Sequence, residues 1–231
     1  MQIHGLNKTT LLDYPGHVAA TLFTGTCNFR CPFCHNGDLV ICPESQPALS
    51  EDEIFAFLNK RKNILTGVCI SGGEPTLQPD LTEFIQKIRE LGYLVKLDTN
   101  GYRPDVLRKL ADNRLVDYVA MDIKSGRDGY AQTCGISSFD FSRIEESAHF
   151  LMQCGIPYEF RTTVVHELHS DFDFLQIAEL IGGCSAYFLQ SYVDSGQVLR
   201  PGFHACTREE MLHFQTLLTP YIPNTLLRGI D

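Results

Sequence analysis

The chain has 231 residues, is 44% hydrophobic, and carries 28 acidic against 19 basic residues for a formal net charge of −9. That apolar content supports one good core, so a single domain over residues 1–231 is expected, with a core over about 11–192 and a C-terminal helix and tail over 193–231. The acidic balance excludes nonspecific nucleic-acid binding, which works by neutralising phosphates with Lys and Arg, and no apolar run is long enough to span a membrane.

Strands and helices alternate along the chain. His17 to Phe23 alternates in polarity and reads as a first strand, leading into a cysteine-rich loop. A helix opens near Ser50, where Glu53 completes a capping box. Val68 and Ile70 mark a second strand ending in Ser71-Gly72-Gly73-Glu74-Pro75. The helix from about Asp80 places Leu81, Phe84, Ile85, Ile88 and Leu91 at helical spacing, and Gly92 stops it. Tyr93 to Leu97 is a third strand, followed by Asp98-Thr99-Asn100-Gly101 and a short helix after Pro104. Tyr118 to Met121 is a fourth, running into Asp122-Ile123-Lys124. Ser142 and Glu145 predict a capped helix ended by Gly155. A fifth strand covers Tyr158 to Val165, a helix follows near Asp171, and a sixth strand covers Ala186 to about Gln190. Thr207 and Glu210 open the last helix with another capping box. Six strand–helix units imply an α/β fold of parallel strands with right-handed crossovers. Polar residues suited to chemistry cluster at the strand ends, which in a parallel barrel share one rim.

Three cysteines, Cys27, Cys31 and Cys34, are one short of closing a metal site, because structural zinc and plain electron-transfer clusters normally take four ligands. A cubane cluster held by three leaves one iron open. A zinc site would need His35 or Cys42 as well, but His35 follows Cys34 directly and their side chains diverge. Disulfides fit poorly with nine cysteines and with a start, Met1-Gln2-Ile3-His4-Gly5, that lacks a signal pattern; reduced thiols in a cytoplasm are expected. The other six, Cys42, Cys69, Cys134, Cys154, Cys184 and Cys206, are scattered singly and read as small core residues.

The run Cys27-Asn28-Phe29-Arg30-Cys31-Pro32-Phe33-Cys34 resembles the signature of the radical S-adenosylmethionine enzymes. The resemblance covers about Leu11 to Gln190 and implies a partial parallel (βα)6 barrel. It also implies a 4Fe–4S cluster on the three cysteines, with S-adenosylmethionine on the open iron and Phe33 beside its adenine. Gly72, Gly73 and Glu74 look like the family's second motif, which receives the methionine amino group; glycines there let backbone approach a ligand. A plain Gly-Gly turn before a helix is the rival reading.

Leu12-Asp13-Tyr14-Pro15-Gly16, Cys34-His35-Asn36, Asp98-Thr99-Asn100-Gly101 and Asp122-Ile123-Lys124 resemble the activating enzymes of glycyl-radical enzymes. In pyruvate formate-lyase activators the matching aspartates help hold a monovalent cation beside the cofactor carboxylate. The resemblance thus implies sodium or potassium ligands at Asp98 and Asp122, with Lys124 meeting that carboxylate. Against these stand a turn aspartate over Asn-Gly and a solvated lysine. Arg161 matches an arginine that faces the cofactor, or it pairs with Glu159 or another carboxylate. The activators' histidine after the sixth strand has no counterpart in Ser191-Tyr192-Val193-Asp194, leaving Gln190 or another residue to substitute. His166 and His169 read as caps of the loop after the fifth strand, without metal.

The implied activity is reductive cleavage of the cofactor to a 5′-deoxyadenosyl radical that takes a hydrogen from a glycine of a partner enzyme. An outside one-electron donor such as flavodoxin or ferredoxin would drive it. Within the activators the whole sequence looks most like those of anaerobic ribonucleoside-triphosphate reductase. A pyruvate formate-lyase type activator, a small-molecule enzyme such as a 7-carboxy-7-deazaguanine synthase, and a noncatalytic iron–sulfur or zinc module are the alternatives.

Overall fold

The structure is a computed structural model and describes residues 1–196 and 198–230; Asp231, the last residue of the expected domain, lies outside them. In chain order the elements are β1 (Ile3–Thr10), β2 (Ala19–Thr24), α1 (Gly37–Ile41), α2 (Glu51–Arg61), β3 (Gly67–Gly72), α3 (Leu81–Glu90), β4 (Leu94–Thr99) and α4 (Pro104–Asp112). They continue as β5 (Tyr118–Asp122), α5 (Tyr130–Thr133), α6 (Ser142–Gln153), β6 (Tyr158–Val164), α7 (Asp171–Ile181), β7 (Tyr187–Ser191), α8 (Arg208–Leu218) and β8 (Thr225–Arg228). The fold is α/β, with a mostly parallel sheet whose eight strands run in chain order. The six expected strands are β2 to β7. No helix among the described residues is long and apolar enough to cross a membrane.

Two compact units make up the chain. The first comprises Met1–Asn28, Asp38–Thr99 and Asp105–Ala120. In it β2, β3 and β4 are parallel, and Thr24 of β2 lies opposite Gly72 of β3. Ala19, Ala20 and Leu22 are all buried, so β2 lacks a solvent face, as parallel strands do. β1 pairs antiparallel with β2 across irregular register. Its run Ile3-His4-Gly5-Leu6-Asn7-Lys8-Thr9-Thr10 has little alternation and is absent from the sequence reading for that reason. In the β1–β2 connection Tyr14 is buried against Gly67, where a Cβ would stand 2.7 Å from its ring. Thr21 Oγ1 donates to Asp13 at 2.5 Å. The Leu12-to-Gly16 motif therefore anchors this connection. The Ser50–Glu53 box caps α2, and α3 buries Leu81, Phe84, Ile85 and Ile88 before Gly92 turns the chain at φ +91°.

The second unit comprises Phe29–Gly37, Asn100–Pro104 and Met121–Asp231. β6, β7 and β8 are parallel, with Phe160 opposite Tyr187 and Tyr187 opposite Thr225. The four-residue β8 was too short to show in the sequence pattern. The capping box expected at Ser142 does not form: Ser142 is already helical, follows an uncapped Phe141, and its hydroxyl donates to Asp140 at 2.6 Å. Asp140 competes successfully because it sits two residues upstream, the reach of an Asx turn. Boxes are present instead at Ser170–Asp173 and Thr207–Glu210.

β8 is tied to β6 through one buried carboxylate. Arg228 meets both oxygens of Glu159, at 3.0 and 2.9 Å, and lies over the Phe188 ring at 3.3 Å. Such a fork is the strong form of a charged hydrogen bond. Glu159→Ala is expected to lower stability in urea by about 1–2 kcal/mol, because the fork is lost while Arg228, 33% exposed, stays within reach of water. A midpoint unchanged in the urea melt would show that the pair contributes nothing.

Candidate functional site

In the first unit, the ends of β2, β3 and β4 bring together Thr24 to Cys27, Gly72-Gly73-Glu74 and Asp98-Thr99. The glycine pair is required by the chain itself. A Cβ at Gly72 would collide with the Thr24 backbone, and one at Gly73 would land on the Thr26 carbonyl oxygen. At that closeness Gly73 N–H donates to Thr24 O (2.9 Å) and Glu74 N–H to Thr26 O (2.8 Å). Thr26 holds φ +64°, a left-handed conformation that costs a β-branched residue energy. Gln78 supports the turn by donating to Gly25 O at 2.9 Å. The glycine motif thus clamps the segment that delivers Cys27. The sequence reading offered either a ligand-facing or a plain-turn role for these glycines; close backbone packing was not among its options.

Glu74 is 1% exposed. Its Oε1 accepts from Thr76 N–H (3.1 Å), Thr76 Oγ1 (2.5 Å) and Thr99 Oγ1 (2.7 Å), so β4 fixes the carboxylate's orientation. Asp98 sits one residue earlier in β4, on the strand face it shares with Lys96. The Lys96 ammonium, in a side chain 1% exposed, forms an ion pair with Asp98 and lies 3.9 Å from Cys69 Sγ. A buried lysine needs such a partner. The sequence reading did not single out Lys96, although its i, i+2 spacing to Asp98 was the available signal.

The second unit holds Cys31, Phe33, Cys34, Asp122, Lys124, Arg161 and Gln190. Cys34 N–H donates to Cys31 O at 3.0 Å, closing a turn over Pro32 and Phe33. Arg30 N–H donates to Cys134 O at 2.8 Å. The Cys134 thiol, hydrogen-bonded to Cys31, outweighs burial and with Lys124 holds the Cys31 thiol below its ordinary pKa. Burial pushes Cys34 the other way. Cys134, read from sequence as a core residue, therefore contacts Cys31 of the three-cysteine loop; nothing in its single occurrence signals this.

Phe33 is buried and meets Tyr192 edge-on, ring centroids 6.5 Å apart, while His35 stacks on the same Tyr192 at 5.8 Å. The Tyr192 hydroxyl is buried without a hydrogen-bond partner. An orphaned buried hydroxyl is costly; beside Phe33, at the end of β7, it suits a bound aromatic group with polar edges. Tyr192 stands where the sequence reading found the activators' histidine missing. Gln190 is half-buried on β7, between Thr163 of β6 and Arg228 of β8.

Asp122 joins two cations, Lys124 Nζ at 2.9 Å and Arg161 Nε at 3.0 Å. Burial alone would raise its pKa, but Lys124 and Arg161 outweigh burial and hold it at about 2. Burial would likewise lower Lys124; Asp122 and Cys31 outweigh it and hold its pKa well above the ordinary lysine value. Lys124 is thus a fixed charge, not a free solvated one. Arg161 takes Asp122 in preference to Glu159, which is 4.0 Å away. Lys124 and Arg161 concentrate positive charge around this carboxylate, of a kind that suits a ligand carboxylate. His169 completes this region: it accepts from Val165 N–H at Nδ1 (3.0 Å) and donates from Nε2 to Lys124 O (2.8 Å).

The donor set fits the implied cofactors, with three cysteines on one loop and an anion-attracting group beside Cys31. The sequence model of the radical SAM superfamily matches residues 21–181. A candidate glycyl-radical enzyme activating enzyme of Methanocaldococcus jannaschii, MJ1227, is 32% identical over 99% of this chain and 96% of its own. Streptococcus suis SuiB bound to S-adenosylmethionine superposes with a TM-score of 0.69 at 16% identity, over 88% of this chain and 48% of that one. A domain of a pyruvate-formate lyase-activating enzyme from Bacteroides vulgatus gives 0.55 at 19% identity, over 71% and 99%.

Hydrogen bonds to cluster sulfurs raise a cluster's reduction potential by stabilising the added electron. Cys134→Ala is therefore expected to lower the midpoint potential of the reconstituted protein, read by redox titration with electron paramagnetic resonance. An unchanged midpoint would mean that the Cys134 thiol turns away from Cys31 once iron is bound.

Proposed function

The chain belongs to the radical SAM superfamily, and to its glycyl-radical enzyme activating enzymes; from that premise we propose that its partner is an anaerobic ribonucleoside-triphosphate reductase. Overall sequence resemblance supports that partner, as does the lack of a ferredoxin-like insertion between Cys34 and Gly72. Membership implies a 4Fe–4S cluster and S-adenosylmethionine. When bound, these supply one-electron cleavage of the sulfonium to a 5′-deoxyadenosyl radical, which removes hydrogen from the partner's glycine. The electron comes from an outside donor of the flavodoxin or ferredoxin class, and the setting is cytoplasmic.

The observation that carries the residue assignment is the clamp of Gly72-Gly73-Glu74 on the segment entering Cys27. Cys27, Cys31 and Cys34 would hold the cluster, and the cofactor would complete it. Glu74, oriented by Thr76 and Thr99, accepts from the methionine ammonium. Lys124, backed by Asp122 and Arg161, takes the carboxylate. Phe33 lies against the adenine, and the Tyr192 hydroxyl and Gln190 serve the nucleoside from the end of β7. Exclusion of water around these groups strengthens each of these contacts.

The sodium or potassium ion implied at Asp98 and Asp122 meets charges already in place. Lys96 pairs with Asp98, and Lys124 and Arg161 pair with Asp122. In our reading these side chains carry the charge that a bound ion would carry. Binding of S-adenosylmethionine by the cluster-loaded protein should then be the same in potassium as in tetramethylammonium buffer, and Lys96→Met should create a potassium requirement. A wild-type protein that already needs potassium would restore the ion to Asp98 and Asp122.

The function itself is tested anaerobically. The reconstituted protein, given dithionite and S-adenosylmethionine, should form 5′-deoxyadenosine and a glycyl doublet on an anaerobic ribonucleotide reductase from the same organism. Cys31→Ala should abolish both, at least a thousandfold, while circular dichroism stays unchanged. Deoxyadenosine without the doublet would remove the proposed partner and point to another glycyl-radical enzyme or a small substrate. No deoxyadenosine from a fully loaded cluster would remove the residue assignment.

A further inference from the structure

The second unit contains a separate group of metal-ligand side chains. Val165, just after β6, bridges Ala205 in antiparallel pairing, and His166 N–H donates to His204 O at 3.0 Å. In such pairing the residues flanking the bridged pair share a face, and diagonal neighbours come within side-chain reach. His166 and Cys206 are such a diagonal pair. Glu210 joins them from the first turn of α8. Its Oε2 is held by Thr207 N–H at 2.7 Å and Thr207 Oγ1 at 2.9 Å, while Oε1 faces His166 Nδ1 at 3.1 Å. One ligand atom from each residue lies within 4.8 Å of the other two.

Each contact alone has an ordinary explanation. A half-exposed His–Glu pair is a surface hydrogen bond, and a thiol 8% exposed is a core residue. Their convergence is not ordinary, because it sets one nitrogen, one sulfur and one oxygen donor around a common point. All three partners are already oriented: Glu210 by its capping box, and His166 and Cys206 by the backbone bridge. The sequence reading gave His166 and His169 no metal. For His169 the backbone bonds at both ring nitrogens agree, whereas His166 has Nδ1 turned to this group.

We propose that His166, Cys206 and Glu210 bind a divalent cation of the zinc class, with the fourth position open to water. The mixed N, S, O set is that of zinc and disfavours magnesium or calcium, which take oxygen ligands. A thiolate and a carboxylate neutralise the ion, so the assembled site carries no net charge beside the positive end of α8. Coordination expels the Cys206 thiol proton to solvent and staples the start of α8 to the segment after β6.

The test uses the cluster-loaded protein, so that Cys27, Cys31 and Cys34 are already taken by iron. Zinc sulfate is added anaerobically, excess is removed by gel filtration, and bound zinc is read by mass spectrometry and zinc-edge X-ray absorption. About one zinc per chain with a single sulfur neighbour is expected, and zinc should raise the melting temperature. His166→Ala, an exposed change that leaves the fold intact, and Cys206→Ala should each weaken zinc binding tenfold or more, since loss of even an outer-shell partner costs about 10–100-fold. Iron content should stay the same. No bound zinc, zinc with three sulfur neighbours, or zinc retained at full affinity by both variants would overturn the site.

Discussion

The arrangement of the first unit depends on how closely two backbones approach. Gly72 and Gly73 lie against Thr24 to Thr26 at a separation that no side chain permits, and the hydrogen bonds from Gly73 N–H to Thr24 O and from Glu74 N–H to Thr26 O hold Thr26 in a left-handed conformation just before Cys27. The loop's entry direction is therefore set by the end of β3 and not by the cysteines. Glu74 follows with its carboxylate oriented by Thr76 and Thr99, which links β4 to the same point. One steric constraint thus connects three strand ends through the glycine motif.

Charge is arranged differently in the two units. In the first, buried Lys96 and Asp98 neutralise each other. Desolvation of such a pair offsets much of its attraction, so it adds little to stability and is better explained as a device for placing charge. In the second, Asp122 is shared by Lys124 and Arg161, with Glu159 4.0 Å from Arg161. The low pKa of Asp122 and the raised pKa of Lys124 come from this same arrangement, so both groups stay charged across the physiological range. Lys124 also favours the anionic form of Cys31, its neighbour.

Much of this was legible in the sequence, for identifiable reasons. β2 to β7 announce themselves by short apolar runs ending in Gly, Asp or polar clusters, and the cysteine spacing needs no structure to be noticed. The edge strands were not legible: β1 is polar and broken by Gly5, and β8 has only four residues. Ser142 misled because Asp140, two residues away, offers its hydroxyl a nearer partner than Glu145. Cys134, Lys96 and Tyr192 were missed for a common reason. Each matters through a neighbour brought close by folding: Cys31 for Cys134, Asp98 for Lys96, and Phe33 for Tyr192. Spacing along the chain signals only the second of these.

The clamp on Thr26 also bears on how the protein matures. In zinc fingers the metal organises its own ligands and the apoprotein is unfolded. Here the amides of Gly73 and Glu74 and the side chain of Gln78 fix the approach to Cys27 using the polypeptide alone. Iron and sulfide would thus meet a loop entry that already exists, its ordering entropy met during folding. Cluster assembly would then be a step that need not build its own approach to Cys27. A chain that lost its cluster would keep the hydrogen bonds of this loop entry, since the polypeptide alone makes them.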